Sequence, residues 1–475
     1  MVFSSVFFLF YFLPVAVGGY FLAPRPAKNA WLLIASLVFY TWGAGAFVLV
    51  MLASIAANFA LGLLAERGRL SGDPRAKRWA VIGTALVNVG VLAGFKYAGF
   101  AFDQLNAGLA VIGGPALPAL DILLPIGISF FTFQSMSYVF DVARDAAPVQ
   151  RNPINFALYV ALFPQLIAGP IVRYASIADR LSKRATTRDD ITEGTFRFSW
   201  GLIKKVVIAD AFAPIAEAGF AAGGTGEIGM AGAWIALFAY TLQIYFDFSG
   251  YCDMAIGLGR IFGFRFPENF ARPYSAGSLT EFWRRWHITL SSWFRDYVYI
   301  PLGGSRGSSA RTQANLWIVF LLTGLWHGAA WTFIVWGLTH GGLLVLERLF
   351  GWREASGPWR PARRALTVFL VMMTWVVFRA ESLPDALAFY AALFDVTRPA
   401  PAPEIAAALD TRALATLLAA SVVFVLPPAF SGWDWLRRRD VRGLVQRAAV
   451  LGPGLVYALV LAVSGSYTAF LYFQF

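Results

Sequence analysis

Three histidines, His287, His327 and His340, are the only imidazoles in this chain, and each lies in or beside an apolar stretch. Ionisable groups in such surroundings are costly and tend to mark function. His327 interrupts the run Gly324-Leu-Trp-His-Gly-Ala-Ala-Trp331. The glycines on either side are expected to leave room for a substrate chain, and Trp326 and Trp331 to form rigid walls that exclude water. A neutral imidazole held there can take a proton from a hydroxyl near neutral pH. The competing reading is a hydrogen-bonded histidine between packed helices. His287 sits close to Arg284 and Arg285, where it can equally be a polar group at a membrane interface. On an unbroken helix His340 comes out about 220° round from His327, so the two are not expected to work together.

Other chemistries fit less well. No two histidines have helical ligand spacing and no acidic cluster accompanies them, which argues against a metal site. Asp247 and Asp253 lie at the end of an apolar stretch that starts near Trp234, on different helical faces. A buried carboxylate must find a partner or protonate, and Arg260, Arg265 and Arg272 are the expected partners. A G-x-S-x-G string occurs once, around Ser305, in a polar loop with no strand leading in, so serine catalysis is not supported. Residues 257–263 read G-x-G-x-x-x-G without a preceding strand, and no Walker signature is present, so nucleotide-binding folds are excluded.

The elements that position these residues are membrane helices. Of 475 residues 58% are hydrophobic and 14% charged, against about a quarter charged in soluble domains. Residues 7–22, 32–64, 80–95, 122–140 and 413–430 carry no charge. Crossing the hydrocarbon takes roughly 20 apolar residues, and the sequence offers roughly 11–13 such spans. The N-terminal run has no Lys or Arg before it, so residues 2–22 read as a retained span rather than a cleaved signal. The lone Cys252 can form no internal disulfide.

The net charge of +12 fits basic cytoplasmic loops, not nucleic-acid binding. Arg25 and Lys28, then Arg67 to Arg78, place two loops on the cytoplasmic side and the N-terminus outward. Further on, the basic loops at Arg144 and Arg151 and at 173–188 both look cytoplasmic with one span between them. Residues 125–142 or 153–171, broken by Pro and Gly, are therefore expected to enter the membrane and return. Residues 264–313 are too polar to cross lipid. A capping box at Ser278 to Glu281 predicts a helix over 279–294, with Phe282, Trp286 and Trp293 on one face and Arg284, Arg285 and Arg295 reaching headgroups, an interfacial helix.

Several strings together resemble the membrane-bound O-acyltransferase family, most closely its alginate O-acetylation branch. They are LPIGISFFTFQ at 124–134, FPQLIAGPIVR at 163–173, DFSGY at 247–251, FWRRWHITLSSWFR at 282–295 and LWHGAAW at 325–331. The resemblance runs nearly the full length and implies one membrane domain over 1–475. It implies an all-α, polytopic membrane protein, roughly 11–13 membrane helices around a central tunnel with re-entrant and interfacial helices beside them. It further implies His327 as the catalytic residue and His287 as the second polar position.

The expected function is transfer of acetyl from a cytoplasmic thioester, acetyl-CoA or another acyl thioester, toward an exported polysaccharide. His327 acts as general base, and no cofactor is held. Trp283, Arg284, Arg285, Trp326 and Asp247 are candidate substrate-binding residues. The expected setting is the lipid of the cell inner membrane, with periplasmic acetyltransferase partner proteins and a polysaccharide acceptor. Two alternatives stand beside it: a polysaccharide or lipid-linked sugar transporter, and D-alanyl transfer to teichoic acid. No paired broken segments in the two halves support a transporter.

Overall fold

The computed structural model describes residues 1–118, 120, 122–354, 357–427, 441–465 and 470–471. Among these residues the chain is helical with no strand. Among the described residues five stretches are long and apolar enough to cross a membrane: Arg25–Leu70, Pro74–Val111, Arg188–Gly224, Arg360–Arg379 and Gly443–Val463. Phe8–Leu22, Leu383–Leu393 and Thr411–Phe424 are shorter apolar helices. This is an all-α polytopic membrane protein. The long stretches are fewer than the roughly 11–13 spans expected, because Pro and Gly divide the apolar runs; the run at 122–140, for example, is an irregular segment leading into a 16-residue helix. Large apolar side chains such as Trp42, Leu49 and Leu86 lie exposed on the long helices, the surface expected where lipid is the solvent.

Contacts divide the chain into two compact units. The first holds residues 1–195 and 255–267. Its helices are α1 (Leu13–Leu22), α2 (Lys28–Ala44), α3 (Val48–Leu70), α4 (Pro74–Leu92), α5 (Ala98–Val111), α6 (Ile128–Ala143), α7 (Pro153–Ala161), α8 (Phe163–Leu166) and α9 (Tyr174–Ser182). Asp73 caps α4 by accepting from the Arg75 amide, with Pro74 pre-set in the first turn. Asn58 on α3 and Asn88 on α4 exchange amide hydrogen bonds at 2.8 and 3.3 Å, a polar clasp between apolar helices. At nine and four residues, α7 and α8 are too short to span the bilayer and are broken apart at Leu162. Gly127, left-handed at φ 76°, backs onto the Leu166 carbonyl, so the Leu-Pro-Ile-Gly and Phe-Pro-Gln-Leu strings meet backbone to backbone.

The second unit holds residues 196–254 and 268–475. Helices α10 (Arg188–Ile203), α11 (Asp210–Thr225) and α12 (Met230–Ile261) precede the short α13 (Leu279–Trp283) and α14 (Ile288–Phe294). The hairpin of α15 (Ser309–His327) and α16 (Trp331–Leu349) follows, then α17 (Arg360–Arg379), α18 (Leu383–Leu393), α19 (Pro403–Ala408), α20 (Thr411–Ala420) and α21 (Val441–Val463). Between α10 and α11 the chain widens into a π-helical turn, Lys204–Ala209. There Lys204 reaches Asp253 at 2.8 Å, and Lys205 reaches Asp247 at 2.7 Å and Asp210 at 2.6 Å. Arg197 completes the network on Asp253 and Glu268.

The single helix expected over 279–294 is two short ones. Ser278 does cap α13, accepting from the Glu281 amide at 3.0 Å, but the Glu281 carboxylate returns to the Gly277 amide instead of closing the box on Ser278. Glu347 of α16 takes the amides of Leu279 and Thr280, which satisfies the open helix start from outside. The break comes at His287, whose φ of 43° is left-handed. Phe282, Trp286 and Trp293 are packed into the protein, at 0, 2 and 4% exposure, while Arg284 and Arg295 stay outside.

Candidate active site

His327 is the last residue of α15 and is 5% exposed. Gly328 and Ala330 are extended, and the chain turns straight back into α16. The two helices touch through glycine. A Cβ on Gly324 would run into the Phe333 carbonyl, one on Gly337 into the Phe320 carbonyl, and one on Gly328 into the Phe333 ring. The glycines around His327 are therefore spent on helix packing and do not leave space for a substrate chain. Trp331, expected as a wall, is 51% exposed. The walls are Trp326, Trp336 and Phe378, with ring centroids 4.9, 5.0 and 5.2 Å from the imidazole.

The turn at Gly328 also removes the reason for separating His340 from His327. Four residues apart on α16, Trp336 and His340 share one face. Trp336 lies 5.0 Å from the His327 ring and 4.9 Å from the His340 ring. Sequence spacing missed this because it assumed one continuous helix.

His287 approaches the same cluster from α14. Its ring stands 5.9 Å from Trp326, which is thus flanked by His287 and His327. The left-handed backbone of a non-glycine residue costs of order 1–3 kcal/mol and tends to persist at functional sites. Asn269 holds it: its carbonyl accepts from the Ile288 amide, and its Oδ1 accepts from the Thr289 amide at 3.0 Å and hydroxyl at 2.9 Å. His287 Nδ1 lies 3.3 Å from that same Oδ1. The Asn269 amide nitrogen is turned to Cys252 Sγ, so Nδ1 carries the proton and Nε2 the lone pair. Burial pushes the imidazole down to about 3, so it is neutral. Nothing in the sequence around Asn269 announced this role.

A cavity of about 520 Å³ opens beside α13 and α14, with Arg284, Arg295, Arg348 and Arg353 in its lining. Trp283 and Thr323 also line it, the latter one turn before His327 on α15. Trp283 is buried, and its indole N–H donates to His340 Nδ1 at 3.3 Å, so the cavity abuts the histidine cluster across one indole ring. Arg295 is held by the Asp296 carboxylate at 2.6 and 3.1 Å, and the other three arginines fit an anionic ligand. Arg285, grouped with Arg284 by sequence, instead bonds Glu281 at 2.8 and 3.0 Å and the Ala271 carbonyl. A second cavity, about 380 Å³, is lined by Glu217, Arg379, Glu381 and Asp385 with Phe220 and Phe389. Arg379 directly follows Phe378, the ring against His327.

Asp247 is 1% exposed and fully engaged, by Lys205 and by the Leu471 amide at 2.9 Å. The ion pairing expected for it and Asp253 is present, but its cations are lysines of the π-turn and Arg197. Arg260 and Arg265 go to Asp190, and Arg272 donates to the Pro427 carbonyl. No group of three metal-ligating side chains occurs among the described residues.

Comparison with known proteins identifies the family. Residues 34–383 match the membrane-bound O-acyltransferase family. The probable alginate O-acetylase AlgI of Azotobacter vinelandii is 44% identical over 508 aligned residues, covering all of both chains. That of Pseudomonas aeruginosa is 48% identical over 83% of this chain and 75% of its own. The peptidoglycan O-acetyltransferase of Helicobacter pylori is 37% identical over 82% of this chain and 78% of its own. A buried imidazole at the end of an apolar helix, beside an arginine-rimmed cavity, thus sits in a chain that belongs to the membrane-bound O-acyltransferase family and is an O-acyltransferase.

Proposed function

We propose that the chain moves acetyl from a cytoplasmic thioester, acetyl-CoA in the first instance, toward an exported polysaccharide, with His327 as general base. The observation that carries the reading is the position of His327, one indole ring from the arginine-lined cavity and one residue from a wall of the second cavity. Arg284, Arg348 and Arg353 would hold the phosphates of the donor, and Trp283 and Thr323 would receive its thioester end. A hydroxyl acceptor would enter by the second cavity, where carboxylates and the stacked Phe220–Phe389 pair suit a sugar. The two cavities adjoin opposite ends of α17: Arg360 bonds Glu281 near the first and Arg379 lines the second, about 30 Å apart on a 20-residue helix. That distance is about the hydrocarbon thickness. Packed rings around His327 would keep water from the thioester.

The named relatives act on alginate and peptidoglycan, which favours a cell-envelope polymer as acceptor, an inner-membrane location and periplasmic partner acetyltransferases. The basic loops put the N-terminus outward. The test is transfer of labelled acetyl from acetyl-CoA by purified protein, with His327→Gln as the comparison. Gln keeps most of the volume but is no base, so a loss of about 10²- to 10⁴-fold is expected. Normal turnover by folded His327→Gln protein would return His327 to a packing role.

A further inference from the structure

Two buried nitrogens in the cluster, Nε1 of Trp336 and Nε2 of His340, have no hydrogen-bond partner among the described residues. Both side chains are sealed, at 1 and 0% exposure. Native proteins seldom leave a buried donor unused, and an orphan beside a reactive group asks for an explanation by function. The state of His340 is set by its neighbour. Trp283 Nε1–H donates to His340 Nδ1 at 3.3 Å, so Nδ1 holds the lone pair and Nε2 carries the hydrogen. Trp283 thereby makes His340 an N–H donor and not a second base. With Trp336 one turn earlier on the same face of α16, the cluster offers two neutral N–H groups, the nearer on a ring 5.0 Å from His327.

We infer that the Trp336 indole N–H, backed by His340 Nε2–H, takes up the negative charge that develops on the acyl oxygen during transfer. The inference rests on the acyl-transfer reading with His327 as base. As the acceptor hydroxyl oxygen bonds to the thioester carbon, its proton passes to the His327 imidazole and the C=O π pair moves onto oxygen. There the two N–H groups bond it. The pair then returns, the C–S bond breaks, and His327 gives its proton to the departing thiolate, leaving an ester and a thiol. Nothing is oxidised or reduced. Neutral donors suit this place, because an arginine in a dry aromatic shell would carry a heavy desolvation cost between turnovers. A fixed N–H in low dielectric still bonds an oxyanion strongly.

The test separates the N–H from the ring. Trp336→Phe removes the donor, and replacing Trp336 by its benzothiophene analogue exchanges N–H for sulfur while keeping the bicyclic shape. Initial rates with labelled acetyl-CoA are measured on the full-length protein in detergent, beside His340→Phe, His327→Gln and thermal unfolding. Polymer-bound acyl ester in cells carrying each variant gives a readout that does not depend on the donor chosen. The expected result is a fall of about 10²- to 10³-fold in kcat for both Trp336 variants, with donor KM within about threefold and the analogue unfolding like wild type. His340→Phe should lose kcat in the same direction. If the analogue turns over within about threefold of wild type while His327→Gln is inactive, the indole N–H is not the donor and the base assignment stands. If the analogue loses activity only in step with lost stability, Trp336 is a packing residue and the inference fails. If His327→Gln is fully active and the analogue is not, the base assignment fails and the donor assignment survives.

Discussion

Gly337→Ala is expected to leave a folded protein that turns over slowly, because the new methyl acts on the geometry of the α15–α16 hairpin. Its Cβ would fall inside 3.0 Å of the Phe320 carbonyl oxygen and 3.1 Å from Gly324 Cα, where ordinary contact begins at 3.4 Å. Neither neighbour is a flexible side chain, so α16 has to retreat from α15 by about 1 Å in a close-packed interior. Trp336 and His340 move with α16, while His327 stays on α15. A misplacement of about 1 Å at a reacting centre costs on the order of 10²-fold in rate, and overpacking costs about 1–3 kcal/mol of stability. The assay is kcat for acetyl transfer together with thermal unfolding of the detergent-purified protein. Gly90→Ala is the control: it lies in α4, has nothing within 4 Å of the added Cβ, and should be neutral or slightly stabilising. A Gly337→Ala protein that keeps nearly wild-type kcat would show that the contact between these helices does not set the geometry at His327.

Lys205→Met should leave Asp247 and Asp210 buried without their shared cation, at a cost of about 3–5 kcal/mol, read as a large drop in unfolding temperature or a failure to accumulate; an unchanged midpoint would contradict this. Burial raises the Glu281 carboxyl, but the Gly277 amide, Arg285 and Arg360 outweigh it and hold the group below its ordinary 4.5. Its stabilisation is therefore present above about pH 4.5 and is lost as pH falls through the lower folded value, so the melting difference between wild type and Glu281→Gln should be largest at neutral pH and shrink steadily as the solution is acidified below pH 4.5. A difference that stays constant across that range would remove the ionic account. Ser71→Cys should resist impermeant thiol reagents added outside intact cells, with native Cys252 silent because it is buried. Ready labelling from outside would reverse the orientation.

The membrane class and the burial of His327 were legible because both are local: a charge-poor composition and one imidazole in an apolar run need no knowledge of distant residues. The start of α13 was legible too, since Ser278 caps it through a bond to the residue three places on. What the sequence hid depends on where the chain turns. His340 was set apart from His327 by continuing a helix through Gly328, and the extended backbone at that residue reverses the chain. The helix over 279–294 was drawn through His287, whose left-handed backbone is stabilised by Asn269, 18 positions earlier. The buried ion pair at Asp247 was legible as one of two readings, the other being substrate binding, yet its lysine arrives from 42 positions away on a turn of unusual width. Spacing rules for regular helices give no means of locating such a turn.

That wide turn, Lys204–Ala209, makes the chain sensitive to length and not only to residue identity. Neighbouring residues on an ordinary helix point about 100° apart, yet Lys204 and Lys205 both find carboxylates on α12. Removing one residue from the turn would restore the regular ladder and rotate everything before it by about 100° against everything after. One of the two lysines would then lose its carboxylate whatever residues surrounded it. A half-exposed position in the turn such as Val207 can change type without this penalty. Single-residue insertions and deletions here should therefore be purged more strictly than substitutions, and homologous chains should vary in letter across 204–209 before they vary in number.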